Sequence, residues 1–367
     1  MRRVLFVDDE PRVLQGIENL MFDVDDEWEV ETSTSGAEAL ELLAQSHFDV
    51  LVSDMRMPEM DGAELLNRVR VAFPNVALFV LSGHAEMRPL LKSMNAVHRF
   101  LGKPCSGPHL IQTLRETAEL LSDLEATTIR ESIGRVTSLP PSTPCEAIFP
   151  PTRERLVACV ESDGVTALRL LRAANLFVAD GVAHSIASAI DHLGCELACD
   201  IVRQVDSVGF AGLDQEVIDL LNDHGRLVAL GARALAGEAE YADQAYVGGL
   251  LHDVGRLVFY VTSPESFRGV HPLETIELEQ HGKTHAEIGS TILALWGFPD
   301  ELVGVVRDHH NLELAVASYP SVMSCVALAE DLMDELFSGH PAQVRTMMDN
   351  AVVEEMMARI RPVWENR

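Results

Sequence analysis

Two sets of side chains in this 367-residue chain could do chemistry. The first is acidic and lies in the opening third. Asp8 and Asp9 directly follow a short apolar run, Asp54 follows another, and Ser82 and Lys103 follow two more. Three carboxylates brought close cannot all stay ionised without a cation, and oxygen donors suit a hard divalent ion such as Mg2+. Lys103, held by Pro104, adds a point charge suited to a phosphoryl oxygen. The second set is His224, His252, Asp253, His285, His309, His310 and Asp331. Imidazoles with carboxylates fit Fe, Mn or Zn better than a thiolate-seeking ion, and seven donors exceed one tetrahedral shell. One or two ions held this way could activate water and brace a phosphodiester.

The acidic set needs a scaffold that gathers strand ends. Apolar runs at Arg3–Val7, Trp28–Thr32, Phe48–Ser53, Val76–Leu81 and Val97–Leu101 alternate with helical patterns. The helices expected are one opened by Pro11, then Ala37–Leu43, Gly62–Val71, one near Met87–Asn95, and Leu110–Leu121. Five such βα units predict a flavodoxin-like, doubly wound parallel sheet, an α/β domain whose working groups gather beyond the carboxyl ends of its strands. The second half shows no period of two; apolar residues recur at three and four, as in Ile186, Ala189, Ile190 and Leu193, so an all-α domain is expected. Its helices are placed at Arg153–Glu161, Val165–Ala173, His184–Leu193, Cys195–Val205, Gln215–Ala236, Ala242–Val261, Lys283–Trp296, Asp300–His309, Pro320–Phe337 and Pro341–Ile360. The histidine set falls on five of these helices. Steps of 28 residues from His224 to His252, 33 to His285, 24 to His309, and 21 from His310 to Asp331 separate its members. They can meet only at the centre of a bundle. Asp308 and Glu287, beside candidate ligands, are expected to accept imidazole N–H groups. Five of the 17 prolines lie between positions 140 and 151, which sets the expected organisation as residues 1–125, a linker at 126–151, and residues 152–367.

The run Asp54-Met55-Arg56-Met57-Pro58-Glu59-Met60-Asp61-Gly62, with Asp8, Asp9, Ser82 and Lys103-Pro104, resembles the receiver domain of two-component response regulators. That resemblance implies that Asp54 takes a phosphoryl group from a sensor histidine kinase or a phosphotransfer protein. It also implies that Asp8 and Asp9 hold Mg2+ with the Arg56 carbonyl, that Ser82 and Lys103 contact the phosphoryl group, and that Phe100 is a switching aromatic. The order His, His-Asp, His, His-His, Asp resembles the HD superfamily of metal-dependent phosphohydrolases, including HD-GYP enzymes that cleave cyclic dinucleotides. A nearer resemblance is to the HDOD (HD-related output) domain. It rests on Leu139-Pro140, Leu170-Leu171-Arg172-Ala173-Ala174-Asn175, Ser188 to Gly194, Gly249 to Arg256, His285-Ala286-Glu287-Ile288-Gly289 and Trp296-Gly297-Phe298-Pro299. HDOD membership implies a signalling module that acts through a downstream protein partner, which the sequence does not name. Against the HD-GYP pattern, Arg256 stands where those enzymes usually have Lys, and Ser318-Tyr319-Pro320 does not supply the GYP motif.

The totals narrow the partners. With 28 Lys+Arg against 57 Asp+Glu the formal charge is −29, which repels nucleic acid and anionic membrane, so neither DNA binding nor membrane insertion is expected. Six scattered cysteines with no CxxC pair predict thiols, no disulfides and a cytoplasmic protein. Two functions stay open: a response regulator with a binding output, or a phosphorylation-regulated metal-dependent phosphodiesterase acting on a cyclic dinucleotide. The balance is against catalysis, and a homodimer is left open.

Overall fold

The computed structural model describes residues 1–24, 26–82, 97–122, 150–176, 183–203, 215–262 and 274–365. They form two compact units, one holding the sheet and one built of helices. The helix expected near Met87–Asn95 and most of the expected linker lie outside the described residues.

The first unit runs β1 (Arg2–Val7), α1 (Pro11–Met21), β2 (Trp28–Ser33), α2 (Gly36–Gln45), β3 (Val50–Asp54), α3 (Gly62–Ala72), β4 (Ala77–Ser82), β5 (Arg99–Gly102) and α4 (Gly107–Ser122). All pairings are parallel and the strand order is β2-β1-β3-β4-β5. The chain therefore reverses its direction of growth between β1 and β3, the position at which such sheets open a crevice. β3 is buried along its whole length, as expected of a central strand covered on both faces. Leu5, Val7, Leu51, Leu78 and Val80 pack against Ala39, Leu43, Leu65, Leu66 and Val69 of α2 and α3. Ser35 and Asp61 cap those two helices by accepting from the Glu38 and Glu64 amides.

The second unit starts with α5 (Arg153–Glu161), α6 (Gly164–Leu176), α7 (Ile186–Leu193), α8 (Cys195–Arg203) and α9 (Gln215–Ala236). α10 (Ala242–Leu251), α11 (Val254–Thr262), α12 (Glu274–His281), α13 (His285–Leu295) and α14 (Asp300–Asp308) follow. α15 (Leu312–Ser318), α16 (Val322–Ser338), a 3-10 turn at Gln343–Thr346 and α17 (Asn350–Glu365) complete it. Val228, Ala232 and Leu235 of α9 meet Val326, Leu332 and Met333 of α16 and Val353, Met357 and Ile360 of α17 in one core.

Three expectations are corrected. The single helix expected over Ala242–Val261 is broken at His252-Asp253. The His252 ring bonds the Gly249 carbonyl at 2.7 Å, the acceptor that an unbroken helix offers to the Asp253 amide. The stretch Pro341–Ile360 is a 3-10 turn and a later helix, pinned where Asp331 accepts from the Gln343 and Val344 amides at 3.1 and 2.9 Å. Cys159 is disulfide-bonded, against the expectation of thiols throughout; Cys105, Cys195, Cys199 and Cys325 are free.

Candidate functional site

In the sheet unit, Val7 of β1 lies opposite Ser53 of β3, so Asp8 and Asp54 emerge side by side, both buried. Lys103, just past β5, joins them: its Nζ lies 2.9 Å from Asp8 Oδ2 and bonds Asp54 Oδ1. Asp54 Oδ2 accepts from the Arg56 amide at 2.7 Å and Asp8 Oδ1 from the Glu10 amide at 2.9 Å. Burial disfavours the Lys103 cation, yet the two carboxylates outweigh it and raise the amine above its ordinary range. Asp9, the next residue along the chain, is half-buried, and the two buried carboxylates of Asp8 and Asp54 share one ammonium. That deficit of positive charge fits a hard divalent ion. Ser82 ends β4 in register with Gly102, which places its backbone at the same rim; its side chain lies outside what is described. Phe100 of β5 is half-buried against the sheet unit's core.

In the helical unit the histidines converge. His252 and His309 occupy the residues that end α10 and α14, and His285 opens α13. Two glycines permit the approach of their helices. A Cβ on Gly249 would lie 2.6 Å from Ala229 Cα of α9, and one on Gly255 would lie 1.9 Å from the His285 carbonyl oxygen. α10 thus presses on α9, which carries His224, and α11 on the start of α13. The Nε2 atoms of His224 and His252 are 3.2 Å apart, those of His285 and His309 3.3 Å, and those of His285 and His310 3.0 Å. The Asp253 carboxylate lies among them, 3.2 Å from His285 Nε2 and 3.4 Å from His252 Nε2. Glu330 of α16 lies 3.7 Å from both His252 Nε2 and His310 Nδ1.

The protonation of these rings follows from their outer partners. His252 Nδ1 faces the Gly249 carbonyl and His309 Nδ1 the Val306 carbonyl, each at 2.7 Å, while His285 Nδ1 faces the Glu277 carboxylate at 2.8 Å. Those oxygens only accept, so each Nδ1 carries a proton, and a ring in its neutral form presents its lone pair at Nε2. In the His285–His309 pair, where both Nδ1 atoms are so engaged, lone pairs 3.3 Å apart repel unless a proton or a metal cation lies between them. Protons serve only part of the cluster. Burial opposes the His252 cation, but Asp253 and Glu330 outweigh it and lift that ring to about 9. Burial and then the His285 charge push His310 down to about 3, and burial with its imidazole neighbours holds His309 well below the usual range. Both Asp253 oxygens are also buried without a well-aligned hydrogen bond. Donors held about 2.0–2.2 Å from one ion sit about 3 to 3.6 Å from each other, the spacing found here. Among the described residues three overlapping groups bring their donor atoms within 4.8 Å of one another: His285–His309–His310, His224–His252–Glu330 and His252–Asp253–His309. The donor set fits divalent metal of the Fe, Mn or Zn kind.

Two acids here were not anticipated. Asp331 was expected in the cluster, but its carboxylate is spent on the Gln343 and Val344 amides and the buried Glu330 faces the histidines instead. A readable signal existed, since Glu330 falls four after Val326 and three before Met333 on the apolar stripe of α16. Glu277, fully buried, had no such signal, because the Ile276 and Leu278 beside it are exposed. The acceptors expected for the imidazoles do other work: Asp308 pairs with Arg307 and Glu287 bonds the Thr284 amide.

A parallel sheet with acids and a lysine at one crevice, and a helical unit centred on histidines, define a receiver joined to an HD-type unit. The family model for the response regulator receiver domain matches residues 4–115 and that for the HDOD domain residues 151–312. The chain therefore carries a response regulator receiver domain followed by an HDOD domain. Receiver domains generally bind Mg2+, and HD-type domains often bind metals. The chain is 33% identical over 118 residues to the hydrogenase transcriptional regulatory protein HoxA of Cupriavidus necator, covering 32% of this chain and 24% of that protein. It is 32% identical over 123 residues to the uncharacterized transcriptional regulatory protein YesN of Bacillus subtilis, covering 32% of each. The chain thus spans a third or less of the length of these curated relatives. Among solved structures, the signal receiver domain of an HD domain-containing protein from Pseudomonas fluorescens Pf-5 is 27% identical, with a TM-score of 0.32, over 33% of this chain and 90% of that one. No helix among the described residues is long and apolar enough to cross a membrane.

Proposed function

We propose that the protein works in a two-component phosphorelay, with Asp54 as phosphoacceptor and the HDOD unit as a signalling output that acts on a protein partner. The observation that carries this is Lys103 bridging buried Asp8 and Asp54 at the crevice between β1 and β3. In the reaction, a carboxylate oxygen of Asp54 attacks the phosphorus of a phosphohistidine on a sensor kinase or phosphotransfer protein. An O–P bond forms, the N–P bond breaks and the imidazole leaves. Asp8 and Asp9 would hold Mg2+, which neutralises charge on the transferring group. Lys103 Nζ offers its protons to a phosphoryl oxygen in place of Asp54 Oδ1, and Ser82 and Phe100 are assigned to sensing the new charge. Residues 1–125 and 152–367 are assigned as the working units, joined by 126–151.

The test is incubation with Mg2+ and acetyl phosphate, read by intact mass. One phosphoryl group per wild-type chain and none on Asp54→Asn is expected; equal labelling of the variant refutes the assignment.

The HDOD unit is further assigned as a metal-binding domain, with His224, His252, Asp253, His285, His309, His310 and Glu330 as the donor set. The same convergence favours a second reading, hydrolysis of a cyclic dinucleotide by metal-activated water. Turnover by metal-loaded protein, lost on His252→Ala, would establish that reading.

A further inference from the structure

A groove of about 370 Å³ opens on the helical unit between α5, the start of α7, α9 and α10. Ligand sites occupy about 300–1,000 Å³, so this one has room for a few side chains and not for a folded surface. Val157 and Ala158 of α5, Ile186 of α7 and Val247 of α10 give it apolar walls. Those walls are braced. Arg153 of α5 reaches Asp191 of α7 through two hydrogen bonds of 2.7 and 2.9 Å. Arg233 of α9 meets Glu161 of α5 at 2.6 Å and Asp243 of α10 at 3.0 Å, and its guanidinium stacks over the Tyr246 ring at 3.9 Å. The Tyr246 hydroxyl donates to the Glu161 carbonyl at 2.7 Å. A groove tied together in this way is formed before anything enters it, which lowers the cost of binding.

The charged side chains around it differ in what they have left to offer. Both guanidiniums are committed to the acids just named. Of the three carboxylates that line the groove, Glu161 and Asp243 each meet Arg233 through one oxygen and keep the other. Glu154, exposed on α5, makes no hydrogen bond or ion pair among the described residues. What remains unspent among these side chains is negative charge, beside an apolar wall.

We propose that this groove docks a short basic segment of the protein partner on which the HDOD unit acts. An apolar side chain of that segment rests on Val157, Ile186 and Val247, and a neighbouring Lys or Arg pairs with Glu154 and Asp243. This rests on the reading of the unit as a signalling output. The formal charge of −29 adds a longer-ranged pull on a basic partner. None of these residues belongs to the histidine cluster.

The test uses full-length protein at about 0.15 M salt, where screening over about 8 Å suppresses the pull of the overall charge. Synthetic peptides carry a photoreactive leucine flanked by Lys, by Gln or by Glu; affinity is read by fluorescence anisotropy and the site by mapping the crosslinks. Crosslinks from the Lys peptide to α5 and α10 are expected, with affinity at least about tenfold above that of the Glu peptide. Ala158→Arg, at an exposed position, fills the groove with a cation of its own and should lower affinity at least about tenfold. Glu154→Gln should lower it about two- to fivefold. Glu313→Gln, an equal gain of charge on the exposed side of α15, should change nothing. Crosslinks that are absent or map elsewhere, equal binding of the Glu peptide, or indifference to Ala158→Arg overturns the groove and leaves the output reading standing. A wild type that light scattering shows to dimerise, and that Ala158→Arg makes monomeric, assigns the groove to a second copy and overturns the basic partner. The output reading falls by a different measure, turnover of a cyclic dinucleotide by metal-loaded protein, which Ala158→Arg does not touch.

Discussion

Glu277 shows how much of a site can rest on one side chain that never enters it. Fully buried on α12, it accepts from the His285 amide at 2.8 Å and from His285 Nδ1 at the same distance, which fixes both the ring and its tautomer. Glu277→Gln keeps an acceptor but loses the charge that makes the imidazole a better donor. Metal affinity, measured by chelator competition, should fall about 10- to 100-fold with the helical content unchanged; equal affinity would show that the ring is oriented from elsewhere. At this scale the sequence was readable wherever a residue's place follows from strand order. Asp8, Asp54 and Lys103 had to meet because strand ends meet. Among the histidines the types were legible and the partners were not, since a one-residue step around α16 decides between Glu330 and Asp331. A helix as short and polar as α12 gives no hint that Glu277 is internal.

The elements of the sheet unit were legible because each strand is a compact apolar run and each helix opens on Ser, Asp or Pro. In the helical unit the long periodic helices such as α9 were equally plain, while α12 and α15, at eight and seven residues, are too short for a period to register. The break at His252-Asp253 was hidden for another reason: the apolar pattern runs on, and only the imidazole's capture of the Gly249 carbonyl ends the helix. Helix packing in this region tolerates little. Gly255→Ala must push α11 away from the His285 carbonyl, at a cost of about 1–3 kcal/mol of stability, seen as a lower melting temperature. Because the shift also moves Asp253, metal affinity should fall with it. A variant as stable as wild type would mean that α13 yields instead.

Across the whole molecule the excess of acids matters more than any one pair. Twenty-eight basic against 57 acidic residues leave the surface self-repelling, and pairs such as Arg153–Asp191 relieve this only locally. Raising the salt from about 0.01 to 0.15 M shortens screening from about 30 to 8 Å. The melting temperature should then rise by about 2–4 °C, which corresponds to about 1 kcal/mol in a unit of this size. A fall would show that local ion pairs dominate. The ring bonds at the ends of α10 and α14 carry a last consequence. His252 and His309 each close a helix through Nδ1 and, by the same bond, aim Nε2 inward, so donors are aligned only in the folded unit. On the metal-site reading, an ion that binds only there shifts the folding equilibrium with its free concentration. On that reading the stability of the helical unit reports the supply of the ion.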